Sequence, residues 1–236
     1  MSMRSPAGEI RSGGRLYVRN IFSSDFVVAH EMFSRDDYGL SRVASVHETP
    51  VILDLGANIG AFTVAVAIRF PKAKIFAYEP EEENFKILSK NIELNKLQNR
   101  VMPHQAAIAG HDGVEKLFLS NFEYGHSLLK EFIVEEKTNE TEMLSVSCVT
   151  IKSILDANRL RYIDLIKMDI EGSEYEVLYG LSDELYASID RIVLEIHEIP
   201  GQSREKLKSF LETKGLKVRQ SKTHDCVFFC TKYANE

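Results

Sequence analysis

Val51-Ile-Leu-Asp54-Leu-Gly56-Ala-Asn58-Ile-Gly60-Ala-Phe-Thr63 is the stretch on which the fold turns. Strand-forming apolar residues run into an acid, two glycines follow four positions apart, and an apolar helical pattern continues to Arg69. An apolar run that stops at glycine-rich backbone and restarts as a helix is the opening strand, loop and helix of a nucleotide-binding α/β sheet. Glycine lets the backbone approach a ligand closely, and the helix N-terminus offers unpaired N–H groups. The next strand, Lys74-Ile-Phe-Ala-Tyr-Glu79, ends in an acid that can accept hydrogen bonds from both ribose hydroxyls.

Outward from this unit, strands and helices alternate, which predicts a doubly wound, mostly parallel α/β sheet with helices on both faces. Strands are expected at 51–55, 74–79, 101–108, 163–168 and 191–197, and helices at 60–70, 81–96, from about 174, and 203–214. Pro71 closes the first helix, Glu81 to Glu83 favour the start of the second, and Gly215 caps the last. Ser173 with Glu176 reads as a capping box, which makes Asp169-Ile-Glu171-Gly172 the turn before that helix. Hairpin-like strands are expected near 114–119 and 143–149, and a closing antiparallel pair at 216–220 and 226–231. The acidic, polar Lys130–Glu142 between the hairpin strands reads as a mobile loop. Residues 1–47, partly helical over 23–47, form a lead-in or cap. Residues 48–236 form the main domain, carrying an insert at about 120–142.

The 236 residues suffice for one substantial core. A net charge of −6 argues against a polyanion as the main partner, so no nucleic-acid partner is expected. Cys148, Cys226 and Cys230, without a CxxC pair, suggest a reducing compartment. No apolar leader or membrane-length run is visible, so the expected location is cytoplasmic, with no membrane partner.

Parallel sheets bind ligands beyond the carboxyl ends of their strands. There the chain places Asp54 to Asn58, Glu79 and Pro80, Gln105 to Ala107, Asp169 with Glu171 and Glu174, and Glu195 with His197. The first loop selects the ligand. A dinucleotide site wants G-x-G-x-x-G, whereas this loop has an acid before its glycines and Asn58 between them. An acid there repels a pyrophosphate and attracts an ammonium or a sulfonium-bearing amino acid. The expected ligand is S-adenosylmethionine rather than NAD.

Asp54-Leu-Gly-Ala-Asn58-Ile-Gly60, Tyr78-Glu79-Pro80, Asn91 with Asn95, and Ala106-Ala-Ile resemble the FkbM-type S-adenosylmethionine-dependent methyltransferases. So do Lys167-Met-Asp169-Ile-Glu171-Gly172-x-Glu174 and Leu194-Glu195-Ile-His197, and the likeness spans about residues 50–220. It implies a Rossmann-like methyltransferase sheet and O-methylation of a polyketide, sugar or glycan precursor. On that reading Gly56, Ala57 and Gly60 face the cofactor's methionine end, ordered by Asp54 and Asn58. Glu79 holds the ribose, Pro80 and Asn84 shape the pocket, and Gln105, Ala106 and Ala107 line the adenine site.

Candidate catalytic groups are Asp169, Glu171, Glu174 and His197. His197 titrates near neutrality by default, and crowded carboxylates raise one another's pKa, so either type can serve as base. The same acids could instead bind a divalent metal. His47 and His126 are candidates for an acceptor pocket. Other readings are N- or RNA methylation, a non-catalytic cofactor-binding module, and an NAD-dependent oxidoreductase. The Asn/Asp-Pro-Pro-Tyr/Phe motif of amine methylation is missing after the fourth strand.

Overall fold

A computed structural model describes residues 7–9, 14–20, 23–30, 32, 38–40, 47–120, 125–130 and 142–233. Most of the expected loop Lys130–Glu142 lies outside the described residues. The chain opens with β1 (Ala7–Glu9), β2 (Arg15–Tyr17) and α1 (Ser24–His30). There follow β3 (Val51–Leu55), α2 (Ala61–Arg69), β4 (Lys74–Tyr78), α3 (Glu82–Leu94), β5 (Val101–His104) and β6 (Ala107–Ile108). Next come β7 (Gly113–Phe118), β8 (Met143–Val149), α4 (Ile151–Asn158), β9 (Leu165–Met168), α5 (Glu174–Gly180) and α6 (Asp183–Ser188). The chain closes with β10 (Arg191–Glu195), α7 (Arg204–Thr213), β11 (Lys217–Gln220) and β12 (Val227–Thr231).

Seven strands form the main sheet in the order β11-β12-β10-β9-β3-β4-β5. The five strands from β10 to β5 run parallel, while β12 is antiparallel to both β10 and β11. This is the expected mostly parallel, doubly wound Rossmann-like sheet with its closing antiparallel strand. Strand β3 is buried throughout because both its faces are covered. Val51, Leu53 and Leu55 pack with α4, α5 and α7 on one face, and Ile52 packs with α2 and α3 on the other. From β3 the chain steps outward to β5, then returns to place β9 on the other side of β3. That reversal opens a crevice at the carboxyl ends of β3 and β9.

Three expectations need correction. The strand expected at 101–108 breaks at Gln105-Ala106: β5 stays in the main sheet, and β6 crosses to a small sheet of order β6-β8-β7. Helices α4 and α6 occupy stretches for which no helix was expected; Thr150 and Ser182 cap them by accepting from Ser153 N–H and Leu185 N–H. The capping box is absent, since Ser173 has helical backbone and its hydroxyl makes no cap bond. The Glu174 carboxylate instead reaches back to the preceding turn, accepting from Ile170 N–H at 3.1 Å.

The lead-in docks through Asn91 of α3 and Asn95, the residue that caps its C-terminus. Asn91 accepts from Tyr17 N–H at 2.6 Å and donates to Tyr17 C=O at 3.1 Å. One turn later Asn95 repeats the pattern on Arg15, at 2.9 and 2.7 Å. Each side chain thus acts as a strand neighbour would, satisfying the backbone of β2.

Candidate active site

At the switch point, Gly56 turns with φ 76° and a Cβ there would lie 1.8 Å from the Asp169 carbonyl oxygen. Only glycine fits so close a crossing of two strand ends. Gly60 (φ 84°) lets α2 begin against Leu88. Between them Asn58 also takes positive φ, and its N–H donates to Glu79 Oε2 at 2.8 Å. The other Glu79 oxygen accepts from Glu81 N–H at 3.0 Å. Burial pushes the Glu79 carboxyl up to about 7 despite these donors.

A cavity of about 630 Å³ opens beside this loop, within the usual size of small-ligand sites. Gly56, Ala57, Asn58, Glu79, Pro80, Asn84, Ala106 and Ala107, all expected at a cofactor site, line it. Ile108, Leu117 and Leu128 extend the apolar slot, with His126 at its edge. Gln105 is exposed and is not among the lining residues. Asp54 and Gly60 lie beneath the wall rather than in it. Asp54 is fully buried, bonded to the Thr63 hydroxyl, and its register partner on β9 is Lys167.

Lys167 organises that edge. Its ammonium donates to the Gly56 carbonyl at 2.6 Å and stands 3.4 Å from Asp169 Oδ2 and 3.8 Å from Asp54 Oδ1. Burial disfavours that charge, but Asp169, Asp54 and Glu195 outweigh it and hold the ammonium above its usual pKa. For Asp169, burial is likewise outweighed, by Lys167 and His197, so its carboxyl sits below the usual range. Tyr38 closes the group, its hydroxyl 3.1 Å from Asp169 Oδ2 and 3.3 Å from Glu195 Oε2.

All four predicted catalytic groups meet next to it. His197 Nδ1 lies 2.9 Å from Glu174 Oε1, and Nε2 lies 3.2 Å from Glu171 Oε2 and 3.9 Å from Asp169 Oδ1. Glu174 is fully buried behind the ring, while Asp169, Glu171, Glu195 and His197 line the cavity. Burial and the neighbouring acids push the Glu171 carboxyl up to about 8. Burial lowers the affinity of His197 for a proton, but the Glu174 bond and the charges of Glu171 and Asp169 raise it to about 10. Ligand atoms of Asp169, Glu171 and His197 lie within 4.8 Å of one another, a donor set able to hold a divalent ion.

His47 is not part of this cavity. It bonds Asp164 at 2.9 Å, before β9, at the other end of the sheet. The sequence reading assigned no role to Lys167 or Tyr38. A lysine inside the apolar run Ile163–Met168 was the available signal, since a buried lysine requires paired acids. Tyr38 sent none, because its partners lie 131 and 157 residues away.

Residues 54–221 match the family model described as methyltransferase FkbM domain. "Methyltransferase 1" of Beauveria bassiana is 31% identical over 193 residues, covering 75% of this chain and 76% of that protein. "Methyltransferase sdnD" of Sordaria araneosa is 30% identical over 217 residues, covering 81% and 82%. "31-O-demethyl-FK506 methyltransferase FkbM" of Streptomyces tacrolimicus is 25% identical over 175 residues, covering 64% and 66%.

Proposed function

The chain belongs to the methyltransferase FkbM domain family and is an S-adenosylmethionine-dependent methyltransferase; on that premise we propose that it methylates a hydroxyl oxygen of a small or medium-sized molecule. The acceptor class is a polyketide, a sugar or a glycan precursor. One observation carries the reading: an imidazole held by a buried carboxylate, Glu174–His197, lines the cavity that begins at the glycine loop.

When bound, S-adenosylmethionine supplies an electrophilic methyl group on its sulfonium sulfur. Glu79 accepts from the ribose hydroxyls, and Ala106, Ala107 and Ile108 pack against the adenine. The backbone of Gly56 and Ala57 faces the methionine end. His197 removes the acceptor's hydroxyl proton at Nε2, while Glu174 fixes the ring at Nδ1 and stabilises the imidazolium that forms. In the unloaded cavity the acids keep that nitrogen protonated. A cationic ligand competing for the same carboxylates lowers the His197 pKa, which couples cofactor binding to formation of the base.

The convergence of Asp169, Glu171 and His197 favours a second reading, in which a divalent cation held by them polarises the acceptor oxygen. Transfer lost to a chelator and restored by Mg²⁺ or Mn²⁺ selects it; transfer indifferent to chelation selects the base.

The acidic net charge and the missing amine-methylation motif support a non-nucleic-acid acceptor. Among the described residues no helix is long and apolar enough to cross a membrane. Calorimetric titration with S-adenosylmethionine, S-adenosylhomocysteine and NAD is the first test. Binding of both adenosyl compounds and not NAD is expected, and NAD binding alone overturns the reading. A screen of hydroxylated sugars and macrolactones then tests the acceptor class, with transfer to an amine or an RNA as the contrary result.

A further inference from the structure

At the end of the sheet opposite the cavity, three metal-ligating side chains converge that the transfer chemistry does not use. The parallel strands β3, β9 and β10 are neighbours in the sheet. Asp164 immediately precedes β9, Asp190 immediately precedes β10, and His47 ends the lead-in shortly before β3. The register pairs Ile166 with Ile192, so two places earlier Asp164 lies opposite Asp190, on the same face of the sheet. Two carboxylates side by side on adjacent strands repel unless a cation lies between them.

His47 completes the set. Its Nδ1 stands 2.9 Å from Asp164 Oδ1, and its ring stacks on Tyr162 with centroids 3.9 Å apart. Asp164 is 3% exposed, and its other oxygen accepts from Val51 N–H at 2.9 Å, which fixes the carboxylate. Tyr233 donates to the Asp190 carboxylate, yet Asp190 Oδ2 is buried with no hydrogen-bond partner among the described residues. A buried carboxylate oxygen is costly until a donor or a cation meets it. One ligand atom from each of His47, Asp164 and Asp190 lies within 4.8 Å of the other two. Ligands held by one zinc ion at about 2.0–2.2 Å stand about 3–4 Å apart, so small side-chain shifts close the set around an ion.

We propose that His47, Asp164 and Asp190 bind a divalent zinc-type ion, a structural site that fastens the lead-in to the amino ends of β9 and β10. The imidazole nitrogen favours zinc over magnesium or calcium, which prefer oxygen ligands alone. The ion replaces the proton shared by His47 Nδ1 and Asp164 Oδ1, and that proton leaves to solvent. Asp190 Oδ2 supplies the third ligand, and water the fourth. None of the three residues lines the cavity, so the site stands apart from the cofactor and acceptor readings.

Asp169, Glu171 and His197 form a second cluster able to take a cation, so the test compares the unaltered chain with a His197→Ala background. Each full, untagged chain is stripped with EDTA and titrated with ZnCl₂ by calorimetry, with melting temperature followed alongside. Co²⁺ serves as the absorbing probe of the same ligands. In the His197→Ala chain one zinc ion is expected to bind, to raise the melting temperature and to be matched by cobalt d–d bands. Removing even an outer partner of a metal costs about 10–100-fold in affinity. Adding His47→Ala or Asp190→Asn removes a direct ligand, so each is expected to weaken zinc at least about a hundredfold and to abolish the melting shift and the cobalt bands. The two substitutions test the site independently should either fold poorly, and melting in EDTA reports which one has folded. No zinc binding in the His197→Ala chain, or binding as tight after the added substitution, overturns the site. Zinc that binds the unaltered chain and is lost with His197 belongs to the cavity and likewise overturns it.

Discussion

The Nδ1 of His197 stands 2.9 Å from Glu174 Oε1, and that carboxylate is wholly buried. The pairing fixes which ring nitrogen faces the cavity. His197→Ala should therefore lower transfer by about 10²–10⁴-fold, the worth of a general base, while S-adenosylhomocysteine still binds. Glu174→Gln, which keeps the shape and removes the charge, should give a smaller loss and shift the acidic limb of the rate profile, where the base loses its proton, to lower pH. Single-turnover transfer measured against pH checks both; wild-type rates in both variants would remove the dyad from the mechanism.

Stability of the unliganded protein should fall as pH rises. Glu79 is raised from 4.5 to about 7 and Glu171 from 4.5 to about 8. Across that window the folded state binds more protons than the unfolded chain, so ionising these acids costs stability. His197, raised from 6.5 to about 10, acts in the same direction: its contribution is complete below 6.5 and lost through 10. Melting temperatures between pH 5 and 9 should decline, and Glu79→Gln should flatten the part between pH 5 and 7.

Gly56→Ala should abolish cofactor binding or folding, because the new methyl would meet the Asp169 carbonyl at 1.8 Å in a backbone with φ 76°. Gly180→Ala meets nothing within 4 Å and should be neutral or slightly stabilising. Thermal melts and homocysteine-nucleoside titration of the pair separate close approach from glycine content.

Asp54→Asn removes one charge from a buried cluster that includes Lys167, so it should destabilise by about 3–5 kcal/mol as well as loosen the cofactor loop. Urea unfolding measures it. A loss below about 1 kcal/mol would mean that Lys167 is satisfied by Gly56 and Asp169 alone.

Asn91→Ala strands Tyr17 N–H and the Ile59 carbonyl, which accepts from Asn91 at 2.8 Å, and should cost about 1–3 kcal/mol. Asn95→Ala, at a site half open to water, should cost less. Equal effects in urea unfolding would contradict the difference in burial.

The parallel sheet was readable because its strands are short apolar runs ending at glycine or acid, a local signal. The strand tips Asp54, Glu79, Asp169 and His197 followed from sheet topology, so their convergence was readable too. The break at Gln105-Ala106 was not, since Val101–Ile108 is continuous in pattern and the change of sheet depends on β8, some forty residues on. Ser173 misled because its spacing fits a cap, while the left-handed Glu171-Gly172 turn delivers it to the helix start already in helical backbone and with its hydroxyl making no cap bond. Gln105 misled because the break turns it outward. Tyr38 and Lys167 act through partners distant in sequence, which periodicity cannot report.

Asn91 and Asn95 grip β2 through its backbone, not through the side chains of Arg15 and Tyr17. That clasp fixes the path of the strand, while the segment's side chains hold it in place: Arg15 donates to the Leu94 carbonyl at 2.9 Å, Leu16 and Val18 are buried, and Lys90 lies over the Tyr17 ring. Since Val27, Val28, Met32 and Tyr38 from the same lead-in wall the same cavity as Gly56 and His197, a change in the lead-in is felt inside the site itself.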